Sequence, residues 1–166
     1  MAAMAAKRSF CGVGAGMGIA SAGWFAAMVA AHLYWQPLLA IELLPAWGLR
    51  IAGAALVIAG WTLYAAAVWQ VRRGRRAGTL VTDGLYAHVR HPVYSVHVFL
   101  TAPGLALMVR SWALLTVPVF MYVVLRLLIG REEARLEGHF GQAYRHYKRR
   151  VPPFFPRPWR WARRRR

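Results

Sequence analysis

Twenty-one consecutive residues, Ile51 to Val71, carry no charged side chain. A surface helix of a soluble protein shows a polar face every 3.6 residues, and this run shows almost none. At 1.5 Å per residue it measures ~30 Å, the thickness of bilayer hydrocarbon. Gly12 to Trp35 is a second run without a charge. A third, Val93 to Val109, is broken only by His97, and a fourth, Trp112 to Ile129, contains Arg126. Only Arg110 and Ser111 separate these last two, which predicts a tight helical hairpin over 93–129. The expected fold is an all-α integral membrane protein of about four transmembrane helices, with the whole chain 1–166 as one domain. The first span covers 12–35 and the second 51–71. A tail over 130–166 follows, with a helix from about Glu132 to Arg149. Pro152, Pro153, Pro156 and Pro158 forbid helix beyond it.

Composition excludes the main competitors. The chain is 58% hydrophobic yet holds 22 Lys and Arg against 5 Asp and Glu, a net charge of +17. A disordered basic tail lacks such apolar content, and a soluble nucleic-acid binder has no need of it. Cys11 stands alone, so an internal disulfide framework and a cysteine-based zinc site are excluded. Lys7 and Arg8 before an apolar run, with Ala20-Ser21-Ala22 behind, have the form of a secretory signal. The run continues to Trp35, which favours a retained helix. Lys7 and Arg8, then Arg72, Arg73, Arg75 and Arg76, then Arg131, Arg135 and the tail fall on one side of four spans. The positive-inside rule therefore predicts both termini to be cytoplasmic. Tryptophans near the span ends, from Trp24 to Trp159, supply an aromatic belt. Arg163 to Arg166 read as an anchor to anionic lipid, at ~1 kcal/mol per residue, and nucleic acid is not needed to explain them.

Chemistry is expected where polar residues interrupt the apolar pattern. The loop 82–94 gathers Asp83, Tyr86, His88, Arg90, His91 and Tyr94 at the mouth of the third helix, with Pro92 suited to its first turn. An arginine within an apolar helix costs at least ~2.5 kcal/mol on insertion scales, so Arg126 reads as functional or paired. Its competing reading is snorkelling to the headgroups. Arg126, Gly130 and Glu133 are spaced to share a helix face. Glu132, Glu133 and Glu137 are three of the chain's 5 acids. They suit a ligand cation or neighbouring arginines. Leu136, Phe140, Tyr144 and Tyr147 recur at helical spacing as a packing stripe. Gly12, Gly14, Gly16 and Gly18 follow no strand, so they mark close helix packing rather than a nucleotide loop. The histidines show no metal-ligand spacing, and no metal site is expected.

Gly84-Leu85-Tyr86, then Val89-Arg90-His91-Pro92-Val93-Tyr94, resembles the GPYxxVRHPxY motif of the isoprenylcysteine carboxyl methyltransferase family. Arg126, Glu132-Glu133, Leu136, Phe140-Gly141, Tyr144, Tyr147 and Val151-Pro152 resemble that family's second signature, in the expected order. The resemblance implies a membrane methyltransferase that uses S-adenosylmethionine, releases S-adenosylhomocysteine and takes a lipophilic acceptor from the bilayer. It places Tyr86, Arg90, His91, Pro92 and Tyr94 in the cofactor pocket, with Glu132 and Glu133 facing the cofactor's amino and hydroxyl groups. Tyr144, Tyr147 and Val151 close the pocket, and Arg126 and Glu133 are the catalytic candidates. Val96 stands where the family commonly has glycine, which leaves the acceptor open. The wider superfamily keeps a phospholipid or amine N-methyltransferase as the alternative. A nicotinamide-dependent reductase and a non-catalytic membrane scaffold are further readings. Oligomeric state is not legible.

Overall fold

The structure, a computed structural model, describes residues 12–156. Lys7, Arg8, Cys11, Pro158, Trp159 and the terminal arginines, with the lipid anchor assigned to them, lie outside the described residues. Four helices carry the fold: α1 (Gly12–Tyr34), α2 (Ala46–Ala77), α3 (Pro92–Val109) and α4 (Thr116–Arg150). No strand occurs among the described residues. Gly14–Tyr34, Ala46–Ala77 and Pro92–Val109 are each long and apolar enough to cross a membrane. α4 is not, because its apolar part ends at Ile129 and charged residues follow at once. Ile51, Ile58, Trp69, Val119, Val123 and Leu127 point outward and are exposed, an apolar exterior that water does not tolerate and lipid does.

α2 is longer than the expected 51–71. It begins after Pro45 and ends at Gly78, whose φ of 64° allows a left-handed cap. The arginines Arg72, Arg73, Arg75 and Arg76 thus continue the helix instead of forming a loop. α3 is interrupted by a π-turn at His97–Thr101. Pro103 follows it, and a proline ring clashes with the carbonyl four residues back. The wider turn relieves that clash. Arg110 takes a left-handed φ of 58° and ends α3. The turn 110–115 then reverses the chain, so the hairpin is as tight as expected. The loop after α1 is tied to this turn: Ile41 N–H donates to the Arg110 carbonyl at 2.8 Å, and the Arg110 guanidinium donates back to the Ile41 carbonyl at 3.0 Å.

Close packing does not fall on the α1 glycines. Side chains added at Gly14 or Gly16 would make ordinary contacts, and one at Gly18 would meet nothing. α1 instead packs on α4 through large rings, with Trp24 stacked on Phe120 at 4.9 Å and donating to the Thr116 hydroxyl at 3.1 Å. The close crossing is between α2 and α3. A Cβ on Gly53 would stand 2.5 Å from the Gly104 carbonyl oxygen, and one on Gly104 would stand 2.8 Å from that of Gly53. Lipid supplies no hydrophobic drive between helices, so backbone approach through small residues does that work.

α4 does not end with the apolar stretch. It runs on through Glu132 and Glu133 and breaks at Gly141, at φ 53° and ψ −126°. In a straight helix Glu133 and Lys148 would be ~22 Å apart. The break folds the last segment back until Lys148 Nζ lies 3.0 Å from Glu133 Oε2. Arg145 meets Glu137 at 2.7 Å across the same bend. The helix ends at Arg150, Val151 is extended and bends follow, and Phe154 is buried with Met17, Val98, Leu125 and Ile129.

This break isolates a conformational requirement, since a Cβ on Gly141 or on helical Gly138 would meet nothing within 4 Å. Gly141→Ala should destabilise by ~1–3 kcal/mol through its forbidden backbone angles. Gly138→Ala should be neutral or gain up to ~1 kcal/mol of helix propensity. Thermal unfolding of both variants in detergent checks this; equal melting temperatures would disprove the requirement.

Candidate active site

The site forms where the 82–94 loop, the start of α3 and both arms of α4 meet. A turn at Gly84–Ala87 begins it. Gly84 lies against the Gln70 amide and has a φ of 55°, a left-handed angle that strains any residue with a side chain. Gln70 accepts the Leu85 N–H at 3.1 Å, which fixes the turn to α2. His91 leaves the helical region, at φ −125° and ψ 59°, before Pro92 opens α3. Arg90 and His91 donate their backbone N–H groups to the Pro152 and Pro153 carbonyls at 2.9 and 3.1 Å. The proline segment that ended the helix is therefore the strap holding the loop.

Glu133 is buried at the centre. Its Oε1 is 2.8 Å from Arg90 Nη2 and 3.3 Å from His91 Nε2, and its Oε2 is 3.0 Å from Lys148 Nζ. Arg90 Nη1 also donates to the Lys148 carbonyl at 2.9 Å. Glu132 has a different partner, the Tyr94 hydroxyl, which donates to its Oε2 at 2.9 Å. The adjacent glutamates are thus divided: Glu133 is satisfied by protein cations, whereas Glu132 accepts from one neutral phenol. The Tyr147 hydroxyl donates to the Tyr86 carbonyl at 2.6 Å, joining the returning arm to the loop. At the site, Arg90 Nε and the Tyr144 hydroxyl are buried with no hydrogen-bond partner among the described residues.

The electrostatics follow from burial and charge. Burial alone raises the Glu133 carboxyl, but His91, Lys148 and Arg90 outweigh it and bring it from the usual 4.5 to about 2. Burial, with the charge of Glu132, pushes Tyr86 up to about 12. Burial also raises Tyr144, reinforced by Glu133, and Tyr147, reinforced by Tyr144 and Tyr86. At neutral pH the site holds ionised Glu133 beside neutral phenols.

Of the residues expected from the sequence, Tyr86, Arg90, His91, Pro92, Tyr94, Glu132, Glu133, Tyr144 and Tyr147 come together. Val151 sits half-buried at the edge, its N–H donating to the Tyr147 carbonyl at 3.0 Å. Arg126 does not join them. It is exposed on α4, beside outward-facing Leu127, and makes no ion pair with any described residue. The expected shared face fails because α4 buries Leu125, Ile129 and Glu133 in turn, which leaves Arg126 at the stripe's outer edge. Lys148, Phe154 and Gln70 escaped sequence reasoning. Lys148 is hidden in a basic run, and Gln70 is the only amide in the charge-free run. Among the described residues no three His, Cys, Asp or Glu side chains are grouped as a metal would need.

A depressed carboxyl stabilises the fold above its unfolded value and loses that contribution as pH falls toward its folded value. The Glu133 contribution should be complete above about 4.5 and fade toward about 2. Glu133→Gln should lower the melting temperature at pH 7, and the gap from wild type should narrow as acid is added. A gap that is constant between pH 7 and pH 3 would contradict the assigned ion pairs.

Comparison with known proteins places this geometry. The model of the isoprenylcysteine carboxyl methyltransferase (ICMT) family matches residues 48–138, just over half of the chain. Protein-S-isoprenylcysteine O-methyltransferase of Schizosaccharomyces pombe is 37% identical over 78 residues, covering 46% of this chain and 33% of that protein. The cobalt-zinc-cadmium resistance protein CzcN of Cupriavidus metallidurans is 36% identical over 84 residues, covering 51% and 38%. The nickel-cobalt-cadmium resistance protein NccN of Alcaligenes xylosoxydans xylosoxydans is 33% identical over 84 residues, covering 51% and 39%. The chain therefore spans a third to two fifths of the length of these curated relatives. No solved structure matches it. The matched segment carries α2, the Arg90–Tyr94 loop, the hairpin and both glutamates, and the chain belongs to the isoprenylcysteine carboxyl methyltransferase family.

Proposed function

We propose that this chain is an integral-membrane methyltransferase that uses S-adenosylmethionine and acts on a lipophilic acceptor, most like isoprenylcysteine carboxyl O-methylation. The observation that carries the reading is the divided glutamate pair, within a chain of this family, at the mouth of an apolar hairpin. The cofactor combines a sulfonium, an ammonium, a carboxylate and ribose hydroxyls, and the donor set fits that mixture. Glu132, whose carboxylate accepts from the neutral Tyr94 hydroxyl, would face the positive groups and hydroxyls. The unpartnered Arg90 Nε and Tyr144 hydroxyl are buried donors whose isolation costs ~1–3 kcal/mol each, and acceptor oxygens of the bound cofactor would relieve it.

S-adenosylmethionine supplies an electrophilic methyl group; the residues supply position and field. In-line methyl transfer to a carboxylate needs no general base, so alignment and a water-poor setting are the protein's main contributions. Glu133 holds Arg90 and His91 at the loop and Lys148 on the returning arm, which makes it a positioning residue as well as the candidate the family motif names. Tyr147 and Val151 fasten that arm across the pocket. Arg126, an arginine on a lipid-facing apolar edge, is assigned to the acceptor's carboxylate, for which its fork is suited. In this arrangement the basic end of α2 and the Glu133 cluster face the cytoplasm, with both termini on the same side because α4, although its apolar part is too short to count as a span by itself, runs back beside α3 and α1. The basic tail attracts anionic lipid there.

Calorimetry with S-adenosylhomocysteine in detergent tests the pocket: Glu132→Gln should weaken binding about tenfold or more, and no binding by the wild type at millimolar ligand would end the reading. In the same preparation, Arg126→Ala should lower kcat with a prenylated cysteine carboxylate more than it changes cofactor binding. A snorkelling arginine would leave turnover unchanged. Orientation is tested separately, in a Cys11→Ser background, with a cysteine at Asp83. It should react with an impermeant maleimide only when the cytoplasmic face is open, and labelling from the opposite face would invert the assignment.

A further inference from the structure

At the end of α3 away from the Glu133 cluster lies the loop that joins α1 to α2. Its exterior is apolar. Leu38 and Leu43 are each 80% exposed, and Tyr34, Trp35, Leu44 and Trp47 are exposed beside them. Glu42 is the only Asp, Glu, Lys or Arg between Gly12 and Leu49. Several of the loop's polar groups turn to the protein instead. The Gln36 amide nitrogen meets the buried His32 ring at 2.8 Å. Leu39 and Ala40 donate their backbone N–H groups to the Trp35 and Pro37 carbonyls at 3.3 and 2.8 Å, and the Ile41 N–H goes to Arg110. From the hairpin's turn, the Trp112 N–H donates to the Leu39 carbonyl at 3.0 Å, and Arg110 directs both Nε and Nη2 to the Ile41 carbonyl. The loop therefore lies flush against that turn.

A loop in water needs no apolar exterior and can leave its backbone to the solvent. This one has the opposite character on both counts. Backbone near the hydrocarbon must find its hydrogen bonds within the protein, and tryptophan and tyrosine favour the headgroup level. Length points the same way independently. α3 has 18 residues, Pro92–Val109, or ~27 Å, against ~30 Å of hydrocarbon. Its Pro92 end adjoins the ionised Glu133 cluster, which requires a bilayer surface, so the Arg110 turn reaches only the opposite edge of the hydrocarbon. An arginine there is costly unless its donors are engaged, and those of Arg110 are. The loop bonded to the turn is held at the same depth. We propose that residues 34–47 are a membrane-docking surface whose partner is lipid, in the leaflet opposite the candidate active site. The backbone sits at the boundary of headgroups and acyl chains. Leu38 and Leu43 reach into the acyl chains, Tyr34, Trp35 and Trp47 lie at headgroup level, and Glu42 faces water. This surface needs only the membrane assignment and rests on no part of the methyl-transfer reading.

The test places a nitroxide on Leu38→Cys, Leu43→Cys or Asp83→Cys, each in a Cys11→Ser background, with the full chain reconstituted in phosphatidylcholine vesicles. Oxygen concentrates among acyl chains and a nickel chelate stays in water, so the relaxation each causes reads depth. At positions 38 and 43 oxygen should outweigh the nickel chelate several-fold, and at position 83 the order should reverse. An excess for the nickel chelate at either loop position would make the loop aqueous and overturn the surface. Weak relaxation by both reagents at either position would overturn it equally, because protein and not lipid would then cover the leucines; dipolar broadening between labels would identify that cover as a second copy of the chain. The two positions are read separately, so if one variant does not fold the other still decides.

Discussion

The reversal at Gly141 is the constraint on which the site depends. A continuous helix would carry Tyr144, Tyr147 and Lys148 away from Glu133 into solvent. The positive φ of Gly141 returns them instead, and one buried carboxylate then holds Arg90, the His91 ring and Lys148 from two separate parts of the chain. Arg90 and His91 come from the loop before α3, and Lys148 from the returning arm. Removing the carboxylate would leave the buried Arg90 guanidinium without its counter-charge, the costly case for a buried ion pair. The same bend delivers the Val151–Pro156 strap, whose carbonyls accept from Arg90 and His91 and whose Phe154 enters the core. Loop, helix end and strap therefore form one cooperative unit.

The membrane part works by different rules. Its exterior is apolar, so burial of apolar area does not drive the helices together. α2 and α3 approach through Gly53 and Gly104 until backbones touch, gaining dispersion contacts that lipid would fill less well. α1 joins through ring stacking and a single indole hydrogen bond. The loop after α1 is pinned to the Arg110 turn at the hairpin's far end. This rigid hairpin sets the position of Tyr94, and hence of Glu132.

Much of this was legible beforehand. Charge-free run length identified α1, α2 and the hairpin, because a bilayer imposes a length and forbids exposed charge. The motif residues Tyr86 to Tyr94 lie against Glu132, Glu133 and Tyr147 in the fold. The α1 glycines misled, since small residues permit close approach without saying which partner takes it. Arg126 was assigned a face with Glu133 from ideal helical spacing. The buried stripe drifts as α4 passes from the membrane core to the loop, and Arg126 is left outside. Lys148 gave no signal, because an arginine- and lysine-rich run looks the same whichever member is paired.

By itself, the sequence determined the membrane class, the helical content, the order of the motifs and the residue types at the site. These depend on local properties: apolar length, proline placement and the chemistry of side chains in fixed spacing. Only the tertiary structure decided that Glu133 would meet Arg90, His91 and Lys148 while Glu132 accepts from the Tyr94 phenol. It also decided that a strap would clasp the loop. Those outcomes depend on where α4 turns at Gly141 and how closely α2 meets α3. A backbone angle and a packing distance set both, and neither is encoded by residues adjacent in the chain.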